Sequence, residues 1–338
     1  MTSMHKSIEG ELTDLRERLG PSPVAPVFAG LAFFRYRVTA GSGVDLIREV
    51  GRKTGYRLAR AWKEREADAL YYELLLDPSL PAMIIHENGR SLEGYPRLDA
   101  LAFRVTDLQP VRDSLQNGCI PSREEPWGIA TEPIPGPGDR FIYLMAGAPA
   151  WHDAPGLEPL PIDPAAVGIA PFGDVRDSIG HLDHIAYRVP VAYVRRTAEM
   201  IMKLTGYSFD SCYSVADQNA ETMVFRWGER KPAIVVSYGW DEQSVVHAYT
   251  AKYGPRVHHT AYYTDDLRAV LLRQKELGLN FTTEALIGDE TRGILQIFSS
   301  PSPFSHEITE YVQRFGSFTG FFDKGNVGEL MGSTKHLN

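Results

Sequence analysis

Apolar and polar residues alternate with a period of two in four separate stretches of the chain. Leu31–Val38 reads LAFFRYRV, Leu98–Val105 reads LDALAFRV, Leu182–Val189 reads LDHIAYRV and Val257–Thr264 reads VHHTAYYT. Their aromatic and β-branched content predicts strands. Each is followed by a short polar turn and an amphipathic segment: VDLIREVGRKTG, LQPVRDSLQNG, VAYVRRTAEMIMKLTG and LRAVLLRQKELG. These predict helices, and each ends on glycine, a common helix stop. Further strand-like runs come next, among them DALYYELLLD, RFIYLMAG, ETMVFRW, PAIVVSYG, GILQIFSS and HEITEYV. The pattern is therefore a βαβββ unit repeated four times. A proline-rich stretch from Ala148 to Pro171 separates two units from the other two. The expected organisation is an N-terminal helical extension (1–28), a first pair of units (29–150), a linker (151–178) and a second pair with a C-terminal helix (179–338).

Composition removes several function classes. The formal charge of −8 and the scattered lysines and arginines leave no basic stripe for phosphates, so no nucleic-acid partner is expected. Two cysteines, Cys119 and Cys212, show no metal-type spacing and read as free thiols. No apolar run is long enough to span a membrane, and the charged N-terminus does not read as a signal peptide. A cytoplasmic protein is expected, with its oligomeric state open to a homo-oligomer.

Paired βαβββ units resemble the α+β vicinal-oxygen-chelate fold, in which they curl into a cup around a metal. Aligning the four first strands places Phe33, Ala100, His184 and His259 at one equivalent position. If the strands line a cup, two imidazoles converge in the second half and none in the first. Imidazole is a favoured ligand for iron and zinc. His258 aligns with Asp183, and period-two alternation sends it to the opposite face. A third ligand is expected from HEITEYVQR, where Glu310 lies mid-strand beside Tyr311 and Val312 and Glu307 faces the other way. An unpaired carboxylate there would be costly, and a metal would pair it. The matching strand of the third unit, PAIVVSYG, offers no ligand beyond Ser237. Two histidines and one carboxylate with open positions point to non-haem Fe(II) rather than a four-ligand zinc or nickel site.

The second half also resembles the 4-hydroxyphenylpyruvate dioxygenase family, which includes 4-hydroxymandelate synthase. The segments that carry this are LDHIAYRVP, VHHTAYYTDDL, ILQIFSS, EYVQR and GFFDKGNVGEL, with DALAFRVTDL similar to the family's non-catalytic half. The resemblance implies Fe(II) held by His184, His259 and Glu310, and a 2-oxo acid that chelates it beside O₂. Oxidative decarboxylation would then drive hydroxylation of the same molecule. It also implies a substrate pocket containing Gln296, Asn326 and one of Phe321 and Phe322, with the C-terminal GNVGELMGSTK as a lid helix. Two positions depart from the family pattern: Val235 stands in place of a pocket Asn, and His247 in place of a pocket Gln. A different arylpyruvate or another 2-oxo acid, with a less polar tail, is therefore expected. Two alternatives use the same fold. One is an extradiol catechol dioxygenase with His247, Tyr249 or Tyr262 as acid–base groups, and the other is a metal-free small-molecule binding protein.

Overall fold

A computed structural model describes residues 8–88, 94–162, 178–228, 231–316 and 318–337. The four units are β1 (Phe28–Thr39), α2 (Gly43–Thr54), β2 (Arg57–Glu64), β3 (Ala69–Leu75) and β4 (Ala82–Asn88); then β5 (Arg97–Val105), α3 (Gln109–Asn117), β6 (Ser122–Glu125), β7 (Gly128–Thr131) and β8 (Arg140–Met145). The third unit is β10 (His181–Arg188), α4 (Val194–Leu204), β11 (Ser208–Val215), β12 (Ala220–Arg226) and β13 (Ala233–Gly239). The fourth is β14 (Arg256–Tyr263), α6 (Leu267–Glu276), β15 (Ile287–Asp289), β16 (Ile294–Phe298) and β17 (Ile308–Arg314). Among the described residues three α-helices lie outside the repeat: α1 (Glu9–Leu19), α5 (Val245–Tyr253) and α7 (Lys324–Ser333). Among the described residues no helix is long and apolar enough to cross a membrane.

Among the described residues two sheets result, ordered β6-β7-β8-β5-β1-β4-β3-β2-β9, where β9 is the short strand Leu157–Pro159, and β11-β12-β13-β10-β14-β17-β16-β15. In both, the first strands of two units lie antiparallel at the centre, and each unit's last strand runs parallel to its first. Side-chain alternation gives each sheet two faces. Phe34, Tyr36, Phe103, Tyr187 and Tyr262 point to a core shared by both sheets and the unit helices. The other face of each sheet is a cup, lined in the first by Phe33, Ala100 and Ile142 and in the second by Ala186, Val235 and Ala261.

The expected linker differs from its prediction. Residues 163–177 lie outside the described residues, but Leu157–Pro159 forms β9 and pairs with β2 at the edge of the first sheet. A short strand ending in proline suits that place, because an edge does not need every backbone donor. The N-terminal extension beyond residues 1–7, which are not described, is helical and crosses to the second sheet. There Ile8 N donates to Glu221 Oε2 (3.2 Å) and Arg16 Nη1 to the Phe209 carbonyl (3.1 Å).

Candidate metal centre

His184 and His259 stand on the two central strands of the second sheet. Antiparallel pairing sets His184 opposite Ala261 and Ala186 opposite His259, while parallel pairing sets Glu310 beside Ala261. One cup face therefore presents all three side chains. His184 Nε2 is 3.2 Å from His259 Nε2 and 3.0 Å from Glu310 Oε2, and His259 Nε2 is 3.2 Å from that same oxygen. His184 and Glu310 are 0 % and 1 % exposed, so water cannot satisfy them.

Oε2 of Glu310 accepts no well-aligned hydrogen bond, an orphan that buried polar atoms rarely are. A cation fits the gap. Metal–ligand bonds of about 2.1 Å at right angles place neighbouring donors roughly 3.0 Å apart, as on one face of an octahedron. The donor set of two imidazoles and one carboxylate suits a divalent transition metal such as Fe(II), and these three are the groups that would hold it.

Each ligand is held from behind. His184 Nδ1 donates to Asp183 Oδ1 (2.7 Å), and both oxygens of Asp183 are gripped by the Arg314 guanidinium. His259 Nδ1 meets His258 Nδ1 at 2.8 Å. Since His259 Nε2 faces the triad, its Nδ1 carries the proton and His258 accepts it. Glu310 Oε1 accepts from Gln296 Nε2 (2.7 Å), whose Oε1 accepts from Asn326 Nδ2 (3.1 Å). Such contacts fix tautomer and orientation at metal sites. Gly288 leaves room for this amide chain: its φ is +87°, and a Cβ there would collide with the Ile294 carbonyl and the Asn326 amide.

The electrostatics follow from the spacing. Burial disfavours a charged His184, but the Glu310 carboxylate and the bond to Asp183 outweigh it and lift the pKa to about 9. Burial alone would raise Glu310, yet the charge on His184 holds it at about 2. Burial lowers His259 to about 4 against the pull of Glu310, and pushes His258 well below the usual imidazole range. In the metal-free protein a proton on His184 thus offsets the buried carboxylate, and metal binding displaces it.

The remaining predicted residues divide. A cavity of about 40 Å³ is lined by His258, His259, Glu310, Val235, Ser237 and Phe322, among others. Phe322 is the aromatic that reaches it, while Phe321 packs on the edge of His184 (5.6 Å) and beneath Arg314 (4.9 Å). Gln296 and Asn326 do not line it; they are fully buried behind Glu310. His247 does not line it either, because α5 turns Val246 and Tyr249 inward and leaves His247 half-buried on its flank. Tyr262 belongs to the shared core, edge-on to Tyr56. His258 corrects the alternation argument. The register slips between Ala186 and Tyr187, so that Ala186 pairs with His259 and Tyr187 with Val257. His258 is the extra residue of a β-bulge, and a bulge re-aims its side chain. Its ring enters the cavity instead of the opposite face.

Sequence reasoning missed Arg188. It follows His184 and Ala186 at the strand period and lines the same cavity, 3 % exposed. The signal was an arginine at cup parity within an otherwise apolar run. It puts a buried guanidinium in the cavity.

No protein-family model matches the chain, and no curated protein matches it. Solved structures do. A triple mutant of 4-hydroxymandelate synthase from Streptomyces coelicolor superposes with a TM-score of 0.71 at 17 % identity, covering 92 % of this chain and 99 % of that one. A xylose isomerase-like TIM barrel/4-hydroxyphenylpyruvate dioxygenase fusion protein superposes with a TM-score of 0.62 at 16 % identity, over 96 % of this chain and 57 % of the fusion. The chain therefore has the vicinal-oxygen-chelate fold, in the four-unit arrangement that it shares with 4-hydroxymandelate synthase.

Proposed function

We propose that this protein is a non-haem Fe(II) dioxygenase of the 4-hydroxyphenylpyruvate dioxygenase type, which oxidatively decarboxylates a 2-oxo acid and hydroxylates the same molecule. The observation that carries this reading is the convergence of His184, His259 and Glu310 around an orphaned carboxylate oxygen in a buried cup. The likeness to 4-hydroxymandelate synthase is consistent with it.

His184, His259 and Glu310 would hold an Fe(II) ion and leave it positions for a bidentate 2-oxo acid and O₂. When bound, Fe(II) supplies the electrons and the coordination positions that O₂ activation requires. The balance is closed within one substrate. The keto carbon becomes a carboxylate, CO₂ leaves, and the second oxygen atom enters the tail as a hydroxyl. The chain's own residues hold the geometry. Asp183 and Arg314 fix the plane of His184, His258 fixes the tautomer of His259, and Gln296 and Asn326 fix Glu310. Phe298, Phe322, Val327 and Leu330 line the cavity with apolar side chains and would exclude water around a bound substrate. That exclusion protects a reactive oxidant from side reactions.

The test is anaerobic Fe(II) titration with a panel of 2-oxo acids, followed by O₂ uptake and CO₂ release. A weak visible charge-transfer band, absent from His259→Ala, is expected with the right acid. No band with any 2-oxo acid, together with ring cleavage of a catechol, would replace this reading with the extradiol one.

A further inference from the structure

Among the described residues, four arginines that are buried or nearly so are matched by carboxylates. Arg35 forks onto Asp99, Arg97 pairs with Asp139, Arg314 with Asp183 and Arg256 with Glu307. Arg188 has no carboxylate within ion-pair distance among the described residues. Its guanidinium donates from Nη2 to Thr334 Oγ1 (3.0 Å) and lies over the Tyr249 ring (5.1 Å), while Nη1 is buried without a partner. Burial lowers its pKa to about 10, so it remains a cation at neutral pH. A buried, unpaired charge is costly, and proteins seldom keep one without a counter-ion.

The first sheet supplies a control. Register equates Arg188 with Arg37, since Arg37 pairs with His86 where Arg188 pairs with Ser237. Arg37 has Asp99 at 3.9 Å and a third of its side chain in solvent. Asp99 is the bulge residue at the place that His258 takes in the second sheet. The second half thus has the arginine but an imidazole side chain where the first half has the acid, at the far end of the cavity that holds Glu310 and His259. The hydroxyls of Thr222 and Ser237, 2.8 Å apart, line the same cavity.

We propose that Arg188 binds an acidic group on the substrate's tail, so that the substrate class is a 2-oxo acid bearing a second carboxylate. This rests on the metal-site reading above. The 2-oxo acid end chelates the metal, and the tail carboxylate accepts from the Arg188 fork and from the two hydroxyls. Arg188 is then a specificity-determining residue, and its missing counter-ion arrives with the substrate.

The test uses the full chain loaded anaerobically with Fe(II), with affinity read from the charge-transfer band. Three matched pairs serve as probes: 2-oxoglutarate against 2-oxohexanoate, 2-oxoadipate against 2-oxoheptanoate, and 4-carboxyphenylpyruvate against phenylpyruvate. In at least one pair the diacid should bind roughly 30-fold more tightly, the size expected when a buried charge gains its partner. Arg188→Met should erase that preference and leave the neutral acid and Fe(II) affinities within about threefold, with Arg188→Lys in between. The metal-free Arg188→Met protein should melt no lower than wild type, because an unpaired buried charge has been removed. Equal or tighter binding of the neutral member in every pair overturns the proposal on wild-type protein alone. So does a destabilised Arg188→Met that keeps the diacid preference. If no acid of either kind gives a band, the metal-site reading itself fails.

Discussion

The two cups share a register and differ in what they hold. Phe33, Ala100 and Ile142 occupy the places that His184, His259 and Glu310 take in the second sheet. Ala32 sits where Asp183 does, so an imidazole introduced at Phe33 would lack its carboxylate partner. The first cup encloses about 540 Å³ with an aromatic and charged lining that includes Arg35, Asp99, His86, Trp127 and Trp151. The second encloses about 40 Å³ beneath α7. The fold alone thus builds a concave face twice, and the candidate metal site is a local addition of three side chains, their hydrogen-bond partners and the covering helix α7. The first cup keeps an aromatic and two aliphatic side chains at the three positions where the second presents its candidate metal-ligating set.

Removing a ligand should produce the largest contrast. Glu310→Ala should abolish Fe(II) binding and turnover, whereas Ile142→Ala in the equivalent place should cost only packing stability. The Glu310 loss should exceed the roughly 10- to 100-fold that losing a partner of a metal ligand costs. Isothermal titration with Fe(II) and an oxygen electrode measure both, and comparable metal binding by the two variants would dissolve the distinction between the cups.

The next contrast concerns residues that hold others. Asp183→Asn and Gln296→Leu should each weaken Fe(II) affinity about 10- to 100-fold without abolishing it. Asp183 should matter more, since Arg314 is then left without its acid. In the first cup Asp99→Asn should leave Fe(II) affinity unchanged and cost on the order of 2–3 kcal/mol of stability, read by urea unfolding, because Arg35 loses a nearly buried partner. An effect of Asp99→Asn on metal affinity would mean that the halves are coupled.

Much of this contrast was legible in the sequence, and the limits are physical. Period-two runs followed by amphipathic helices located all four units, because those periodicities report burial directly. Comparing copies selected His184 and His259, since duplicated strands compare one position several times. Alternation failed at His258, where the bulge adds a residue that no periodicity records. Gln296, Asn326 and His247 were assigned to the pocket by resemblance. Their real places depend on how β16, α7 and α5 pack, which is tertiary information. Arg188 was visible at cup parity, but its want of a carboxylate could only be judged once its neighbours were known.

The lid gives a third, smaller contrast. A cavity of about 40 Å³ is smaller than a 2-oxo acid with its tail, and α7 forms one of its walls, so α7 is the element expected to shift when a substrate binds. Val327, Leu330 and Met331 form the underside of that helix, and Thr334 after it bonds to Arg188. Amides of 324–333 should exchange with deuterium faster than those of β17 in the free protein, and slow when Fe(II) and a 2-oxo acid bind. Amides of β8, in the unlidded cup, should not respond. Exchange in α7 that is indifferent to ligand would argue that the substrate enters elsewhere.

The smallest expected effect lies in the first cup and depends on pH. His86 stacks on Tyr71 at 4.3 Å with the rings 3° from parallel, next to Arg37. Burial, helped by the charge on Arg35, lowers its pKa to about 3. An unfolded chain protonates this imidazole near its ordinary value of about 6.5. Between those values the unfolded state binds a proton that the folded state refuses, so this group's contribution to stability falls as pH drops from about 6.5 towards 3. The slope is at most about 1.4 kcal/mol per pH unit for one group. His86→Phe keeps an aromatic face for Tyr71 and removes the titration. Stability curves of the two proteins should run parallel above pH 7 and diverge below about 6, with the variant losing less. The equivalent residue of the metal cup is Ser237, which does not titrate, so the corresponding Ser237→Ala curve should stay parallel to wild type throughout. Parallel acid limbs for His86→Phe would show that His86 is protonated within the fold, and the first cup would then hold one more cation than its packing implies.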